Sequence, residues 1–371
     1  MDWDKVVQDF PAGQSRVWLN NCGVALTPGV AYDALNKAIT ESKSGHLDLP
    51  SFGYSEVRDR LRGLLAQLLN VDTQEILLMQ NTAQAMNLFA YGYPLSPGKK
   101  ILLLEDEYPS NVYPWQTLEK KGHEILFAKP DQVLDSINEY KADLGIVSLS
   151  PVHWITGQRM PLNEIASLCR EANIELVLDG AQSVGHIPIK PRELGVRFMG
   201  FSCWKWLMGP LGLSAAYISR DLWDKMPPPF PGTSNVVNDE EYLPYRDQLK
   251  EDAERYMIST QPFLPWVQAM AALEYLSALG FEKVQSRILD LAFFTRMQLE
   301  KQGFALATPV SEKSGIVSFK SDKVNSDSLL QRLTEQNIFA ALRGGYIRVS
   351  PHICNTEQQI SLFLKEIKHV T

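Results

Sequence analysis

The stretch IELVLDGAQSVGHIP at residues 174–188, followed at residues 201–219 by FSCWKWLMGPLGLSAAYIS, decides how this chain is read. Residues 174–178 are nearly all apolar and end on Asp179, the pattern of a buried strand that delivers a carboxylate to its end. Lys205 follows 26 positions later, beside Ser202. Outward from this stretch the same pattern recurs. Residues 101–104 are apolar and break at Glu105, Asp106 and Glu107, and residues 144–149 are apolar and end at Ser150-Pro151. Residues 54–69 predict an amphipathic helix with Val57, Leu61, Leu64, Leu65 and Leu68 on one side, and residues 161–172 are again helical. Short apolar strands separated by helices predict an α/β fold with a mainly parallel sheet covered on both faces. Ligands of such sheets sit beyond the carboxyl ends of the strands. That rule nominates Tyr108, Asn111, His153, Asp179, Gln182, Ser202 and Lys205.

Residues 226–236 (MPPPFPGTSNV) form a Pro/Gly-rich loop. Beyond it lie helical patterns at about 262–280 and 282–302, strand-like pieces at 315–320 and 346–350, and helices around 326–336 and 356–369. The division expected is a large domain over 15–264 and a smaller α+β domain over 265–371 that also takes in the segment 1–14. With 371 residues the chain is long enough for both. A net charge of −7 argues against nucleic acid as a partner, which wants a basic surface. No apolar run approaches the ~18 residues of a membrane helix, so no membrane partner is expected. The start MDWDKVVQDF lacks the pattern of a signal peptide. Cys22, Cys169, Cys203 and Cys354 are scattered and form no CxxC pair, which fits reduced thiols in a cytoplasmic protein and no metal site.

The two quoted segments contain D-x-A-Q-x-x-G-H-x-P from Asp179 to Pro188 and S-x-x-K-W-L-x-G-P-x-G from Ser202 to Gly212. In these the chain resembles the class V aminotransferase group of fold-type I enzymes dependent on pyridoxal 5′-phosphate (PLP), which includes cysteine desulfurases, selenocysteine lyases, kynureninase and isopenicillin N epimerase. Similarity runs from Leu19-Asn20-Asn21 to Asn355-Thr356. The resemblance implies the fold-type I transferase architecture, PLP as cofactor and an amino acid as substrate. It makes Lys205 the Schiff-base lysine that later serves as acid and base, and Asp179 the carboxylate facing the pyridine nitrogen. Gln182 would hydrogen-bond the phenolic oxygen of the cofactor. Asn81-Thr82-Ala83 stands at the phosphate cradle, where the N–H groups of a helix start suit an anion, and Ser202 would add a hydroxyl. Tyr108 falls where desulfurases stack a histidine on the ring. Thr260 matches a threonine that reaches the neighbouring subunit's phosphate, which implies a homodimer with shared active sites. Arg348 matches the arginine that grips the substrate α-carboxylate in a bidentate fork.

Departures are as informative. Desulfurases of this group carry a catalytic cysteine on a loop between an Arg-x-Gly element and that arginine. Here Arg343-Gly344-Gly345 is separated from Arg348 by Tyr346 and Ile347 alone. The histidine before the lysine is Trp204, and the glycine before the threonine is Ser259. A persulfide-forming desulfurase is therefore not expected. β-Elimination of the C–S lyase type needs no enzyme thiol and is the leading expectation, with transamination and epimerisation as alternatives and a catalytically silent PLP-binding module as the reading from another class. His153 divides between a structural histidine and a substrate-side proton shuttle. His186 reads as structural, and Cys22 and Cys203 as packing. Phe52, Tyr54, Trp154 and Tyr346 are candidates for an aromatic-lined pocket. Two decoys fail: Ser202-Cys203-Trp204-Lys205 lacks the companion motifs of penicillin-recognising enzymes, and residues 92–100 miss the spacing of a phosphate loop.

Overall fold

The computed structural model describes residues 1–45 and 53–368. Phe52 lies outside them. In chain order the described strands are β1 (Val17–Trp18), β2 (Ile76–Met79), β3 (Lys100–Leu104), β4 (Ile125–Ala128), β5 (Leu144–Leu149), β6 (Glu175–Asp179), β7 (Phe198–Ser202), β8 (Ser214–Ile218), β9 (Ala305–Leu306), β10 (Val317–Lys320), β11 (Ile338–Phe339), β12 (Ala341–Arg343) and β13 (Tyr346–Val349).

Seven of them form the central sheet in the order β2-β8-β7-β6-β5-β3-β4. The strands from β7 to β4 pair in parallel, while β8 runs antiparallel to both β2 and β7. Side chains alternate between two apolar layers, as the two-residue period of a strand requires. Leu102, Leu104, Leu176 and Leu178 point into one layer, and Ile101, Leu103 and Val177 into the other. Helix Tyr54–Leu69 covers the first with Leu61, Leu64 and Leu65, and helix Thr82–Gly92 covers the second with Ala85, Met86 and Phe89. Gly200 on β7 lets the second helix lie low on the sheet, since a Cβ there would stand 2.7 Å from Ala85 Cβ. That close approach brings the helix start down to the strand ends.

Strands β12-β13-β10-β9 make a second, antiparallel sheet. Phe319 and Ile347 from it join Leu291, Leu299, Leu329 and Phe363 of the helices Phe281–Lys301, Ser326–Glu335 and Glu357–Ile367 in a separate apolar cluster. The chain's beginning is tied to this unit through parallel pairing of β1 with β11 and the bridge Asn20–Ser350. Helix Phe263–Leu279 puts Trp266, Ala269, Leu273 and Leu276 into the large-sheet cluster with helix Tyr54–Leu69. The sheets thus meet at a seam, and the carboxyl ends of β3, β5, β6 and β7 open onto it.

Candidate active site

The segment carrying Lys205 is folded on itself just after β7. Cys203 N–H donates to the Leu213 carbonyl at 3.0 Å, and Gly209 N–H to the Cys203 carbonyl at 2.8 Å. Trp206 anchors the turn from below. Its ring stacks on His186 at 4.0 Å between centroids and on His352 at 5.9 Å, and its Nε1–H donates to Gln182 Oε1 at 3.3 Å. Lys205 is thereby aimed upward, with Nζ 5.6 Å from the centroid of the Tyr108 ring.

Asp179 closes β6 and is 2% exposed. Its Oδ1 accepts from Ala181 N–H at 2.9 Å. Burial pushes its pKa up, opposed by that N–H and by the charge of Lys205. Burial likewise pushes Lys205 down, helped by Arg348 and opposed by Asp179 and Cys22. A carboxyl and an amine, each disfavoured as an ion, thus face one pocket; a cationic ring would stabilise the carboxylate, while the lowered lysine supplies a neutral amine.

Beside them the groups for an anion are present and unused. Thr82 Oγ1 and Ser202 Oγ are buried without a hydrogen-bond partner. Asn81 caps helix Thr82–Gly92 by accepting from Gln84 N–H at 2.8 Å. The N–H groups of Thr82 and Ala83 in the first turn lack intrahelical partners, as at any helix start. Two orphaned hydroxyls and a helix start fit a phosphate. Gln182 Nε2 spends one N–H on the Cys22 carbonyl at 3.1 Å and keeps the other.

On the opposite side Arg348, in β13, is 2% exposed. It donates from one terminal nitrogen to the Trp154 carbonyl at 2.5 Å, while its Nε is buried without a partner. Trp154 Nε1–H donates to the Asp106 carbonyl at 2.6 Å, and its ring meets the edge of Tyr108 at 5.3 Å. A cavity of about 450 Å³ joins the two sides, lined by Lys205, Asp179, Gln182, Thr82, Ala83, Tyr108 and Arg348 among others. The sequence-derived set is therefore largely brought together, and these residues fit PLP: a carboxylate for the ring nitrogen, a lysine, an aromatic face and an unfilled anion cradle.

Four nominated residues do not line the cavity. Asn111 is fully buried, its Oδ1 accepting from Ser148 Oγ–H at 2.6 Å and from Trp115 Nε1–H at 3.1 Å. Ser202 is buried just behind it, with 1% exposure. His153 turns its ring into its own loop, with Nδ1 3.0 Å from Thr156 Oγ1 and Nε2 3.3 Å from the Asp106 carbonyl. Thr260 lies on the surface, next to Gln261, whose N–H donates to Tyr54 Oη at 3.0 Å. Of the aromatic candidates, Trp154 lines the cavity, Tyr54 is buried against Trp266, and Tyr346 lies under the Lys320 ammonium at 3.9 Å. Asn20, Cys22, Trp204 and Arg343 line it as well. Cys22, read as packing, is fully buried in the wall.

The sequence model described as "Aminotransferase class-V" matches residues 17–363. The chain belongs to the class V aminotransferase family. Membership makes it a PLP-dependent enzyme. Among similar proteins of this family is a probable cysteine desulfurase of Pyrococcus abyssi, 26% identical over 97% of this chain and 96% of that protein. Among solved structures, a lysine-to-alanine mutant of C-DES with glycine covalently linked to the PLP cofactor superposes with a TM-score of 0.92 at 23% identity, over 98% of this chain and 99% of that one. The cystine C–S lyase C-DES in complex with its product cysteine persulfide gives 0.89 at 23% identity, over 97% and 99%. These likenesses establish the fold of this class V aminotransferase-family enzyme as fold-type I. Among the described residues no helix is long and apolar enough to cross a membrane, and no cluster of three or more His, Cys, Asp or Glu is placed to hold a metal ion.

Proposed function

We propose that this enzyme is a C–S lyase that cleaves cystine or another S-substituted cysteine by β-elimination, without a thiol of its own. One observation carries the reading. Arg343 and Arg348 sit on the two strands of a hairpin whose turn is the two residues Gly344-Gly345, both at positive φ. That is the tightest hairpin connection in common use, and it leaves no room for the cysteine loop that family resemblance places in desulfurases. Cys169, Cys203 and Cys354 are buried, and burial raises each thiol to about 12, so they stay protonated. C-DES, the structural neighbour described as a cystine C–S lyase, supports the same chemistry.

When bound, PLP supplies a ring that takes up the electron pair left as the substrate Cα–H bond breaks. Arg348 pairs its guanidinium with the α-carboxylate, filling the unpartnered Nε. Lys205, with its pKa lowered, is the base that takes the Cα proton onto Nζ. The Cβ–S bond then breaks and the sulfur leaves with the electron pair, so that hydrolysis of the carbon product gives pyruvate and ammonia. Asp179 would hold the proton of the ring nitrogen, Tyr108 would cover the ring, and Thr82 and Ala83, with the unpartnered Ser202 hydroxyl behind the cavity wall, would hold the phosphate. Gln182 offers its free N–H to the phenolic oxygen. Thr260, exposed in one chain, is read as reaching the phosphate of a second copy in a homodimer. His153 is read as bracing the Asp106 turn under Trp154 instead of touching substrate. Four free, buried cysteines support a reducing compartment such as the cytoplasm. The division at residues 264 and 265 is kept as the domain reading, with helix Phe263–Leu279 as the brace between the units.

Incubation of the PLP-loaded enzyme with cysteine, cystine and S-alkyl cysteines tests the reading. Pyruvate and ammonia in equal amounts from cystine are expected. Amino transfer to an added keto acid with no pyruvate formed would overturn it.

A further inference from the structure

The chemistry above leaves one buried carboxyl unused. Glu107 directly precedes Tyr108 and is 6% exposed. Its oxygens accept three hydrogen bonds: Tyr108 N–H at 3.0 Å, Ser150 N–H at 2.8 Å and Ser150 Oγ–H at 2.6 Å. Tyr108 belongs to the loop after β3, and Ser150 follows β5, the strand paired with β3. The carboxyl therefore clips the loop that carries the aromatic ring to the end of the neighbouring strand. The next strand over is β6, which ends in Asp179. Asp179 faces Glu107 from that side, and Glu105 and Asp106 share its loop. His153, from the loop after β5, meets the Asp106 carbonyl, and Lys205 and Arg348 stand around Asp179 in the cavity. Burial first, then the charge of Asp179, raise the Glu107 pKa to about 7, while the Ser150 and Tyr108 donors work against the rise. A carboxyl with only a packing role would satisfy its oxygens without sitting in the field of the cofactor's own carboxylate.

We propose that Glu107 is a positioning residue of this active site, which fixes the Tyr108 ring over Lys205 and adds its negative charge behind Asp179 to hold protons on the groups Asp179 faces. This rests on the reading that the cofactor ring lies between Asp179 and Tyr108. Two variants grade the charge. Glu107→Gln removes it and sets an amide NH₂ against the Ser150 N–H, whereas Ser150→Ala keeps the carboxyl but removes a donor that favours its charged form.

The readouts are the pH midpoint of the bound cofactor's visible absorption band and the dichroism of that band. In Glu107→Gln the midpoint is expected to fall by about one pH unit, as for a unit charge removed at middle distance inside a protein, and the dichroism to weaken. Ser150→Ala should lower the midpoint in the same direction by less, because the carboxyl loses a donor to its charged form. A Glu107→Gln midpoint within about 0.3 unit of wild type, or one that rises, overturns the proposal. If Glu107→Gln does not fold, Glu107→Asp keeps the charge on a shorter arm. It should then show the wild-type midpoint with weakened dichroism, and a midpoint lowered in that variant overturns the proposal. Borohydride that fails to fix the cofactor to Lys205 in the wild type would instead sink the cofactor placement and this inference together.

Discussion

The carboxyl edge of the large sheet and the β12–β13 hairpin meet across one cavity, yet they are assembled by different rules. On the sheet edge, groups arrive from the ends of separate strands, and the buried hydroxyls of Thr82 and Ser202 are left without partners. On the hairpin side, two arginines come from one short antiparallel pair, with Ala341 opposite Arg348 and Arg343 opposite Tyr346. Residues opposite each other share a face, so Arg343 and Arg348 are diagonal neighbours on one side of the hairpin. The edge is a holding device with fixed geometry, whereas the hairpin is a compact cationic wall that one insertion could remake. Family membership is legible on the first, and the proposed reaction type rests on the second.

The comparison can be broken hardest at Lys205. Lys205→Ala should lower kcat by about 10²–10⁴-fold, the range for removing a positioned acid–base group. Cofactor should still be retained through gel filtration, because the cradle at Thr82 and Ser202 is untouched. Loss of cofactor along with activity would mean that the edge does not hold PLP by itself.

The seam between the regions offers the next test. Burial lowers the His352 pKa from 6.5 to about 4, with its bond to the Trp206 carbonyl opposing. The folded ring therefore stays neutral where the unfolded chain is already protonated. Its contribution to stability is complete above pH 6.5 and is lost as pH falls toward about 4, worth about 3 kcal/mol. Glu107, raised to about 7, has the opposite sign over part of that range, since the folded state keeps its proton longer. Denaturant unfolding of wild type against His352→Gln across these pH values isolates the histidine. The difference between them should shrink by roughly that amount in acid, and a pH-independent difference would refute a neutral buried ring.

The hairpin gives the smallest effect. Arg348→Lys keeps a charge but not the fork, so KM for the amino acid should rise about 30-fold with kcat little changed. A fall in kcat at constant KM would place Arg348 in the chemical step and blur the division between the two sides.

What could be read from sequence follows the same division. The apolar runs at 101–104 and 144–149 became β3 and β5 because parallel strands covered on both faces must be apolar throughout. The strand β4 has no such signature. It is a sheet edge, and Phe127 is 47% exposed. The antiparallel direction of β8 was equally hidden, since a buried antiparallel strand reads like its parallel neighbours. Glu107 looked like the polar end of a strand, and what buries it is Ser150, forty-three positions on. His153 had the same strand-end address as Asp179, but the turn to Thr156 closed its ring away from the cavity. Address along the chain predicts which residues reach the site, and the local turn decides which of them face it.

The Gly344-Gly345 turn carries one more consequence. An enzyme that parks sulfur on a swinging protein arm can pass it hand to hand, choosing the recipient by docking. With the arm reduced to two glycines there is nothing to extend. On the C–S lyase proposal, sulfur released here would leave as a diffusible small molecule, its destination set by whatever meets it in solution.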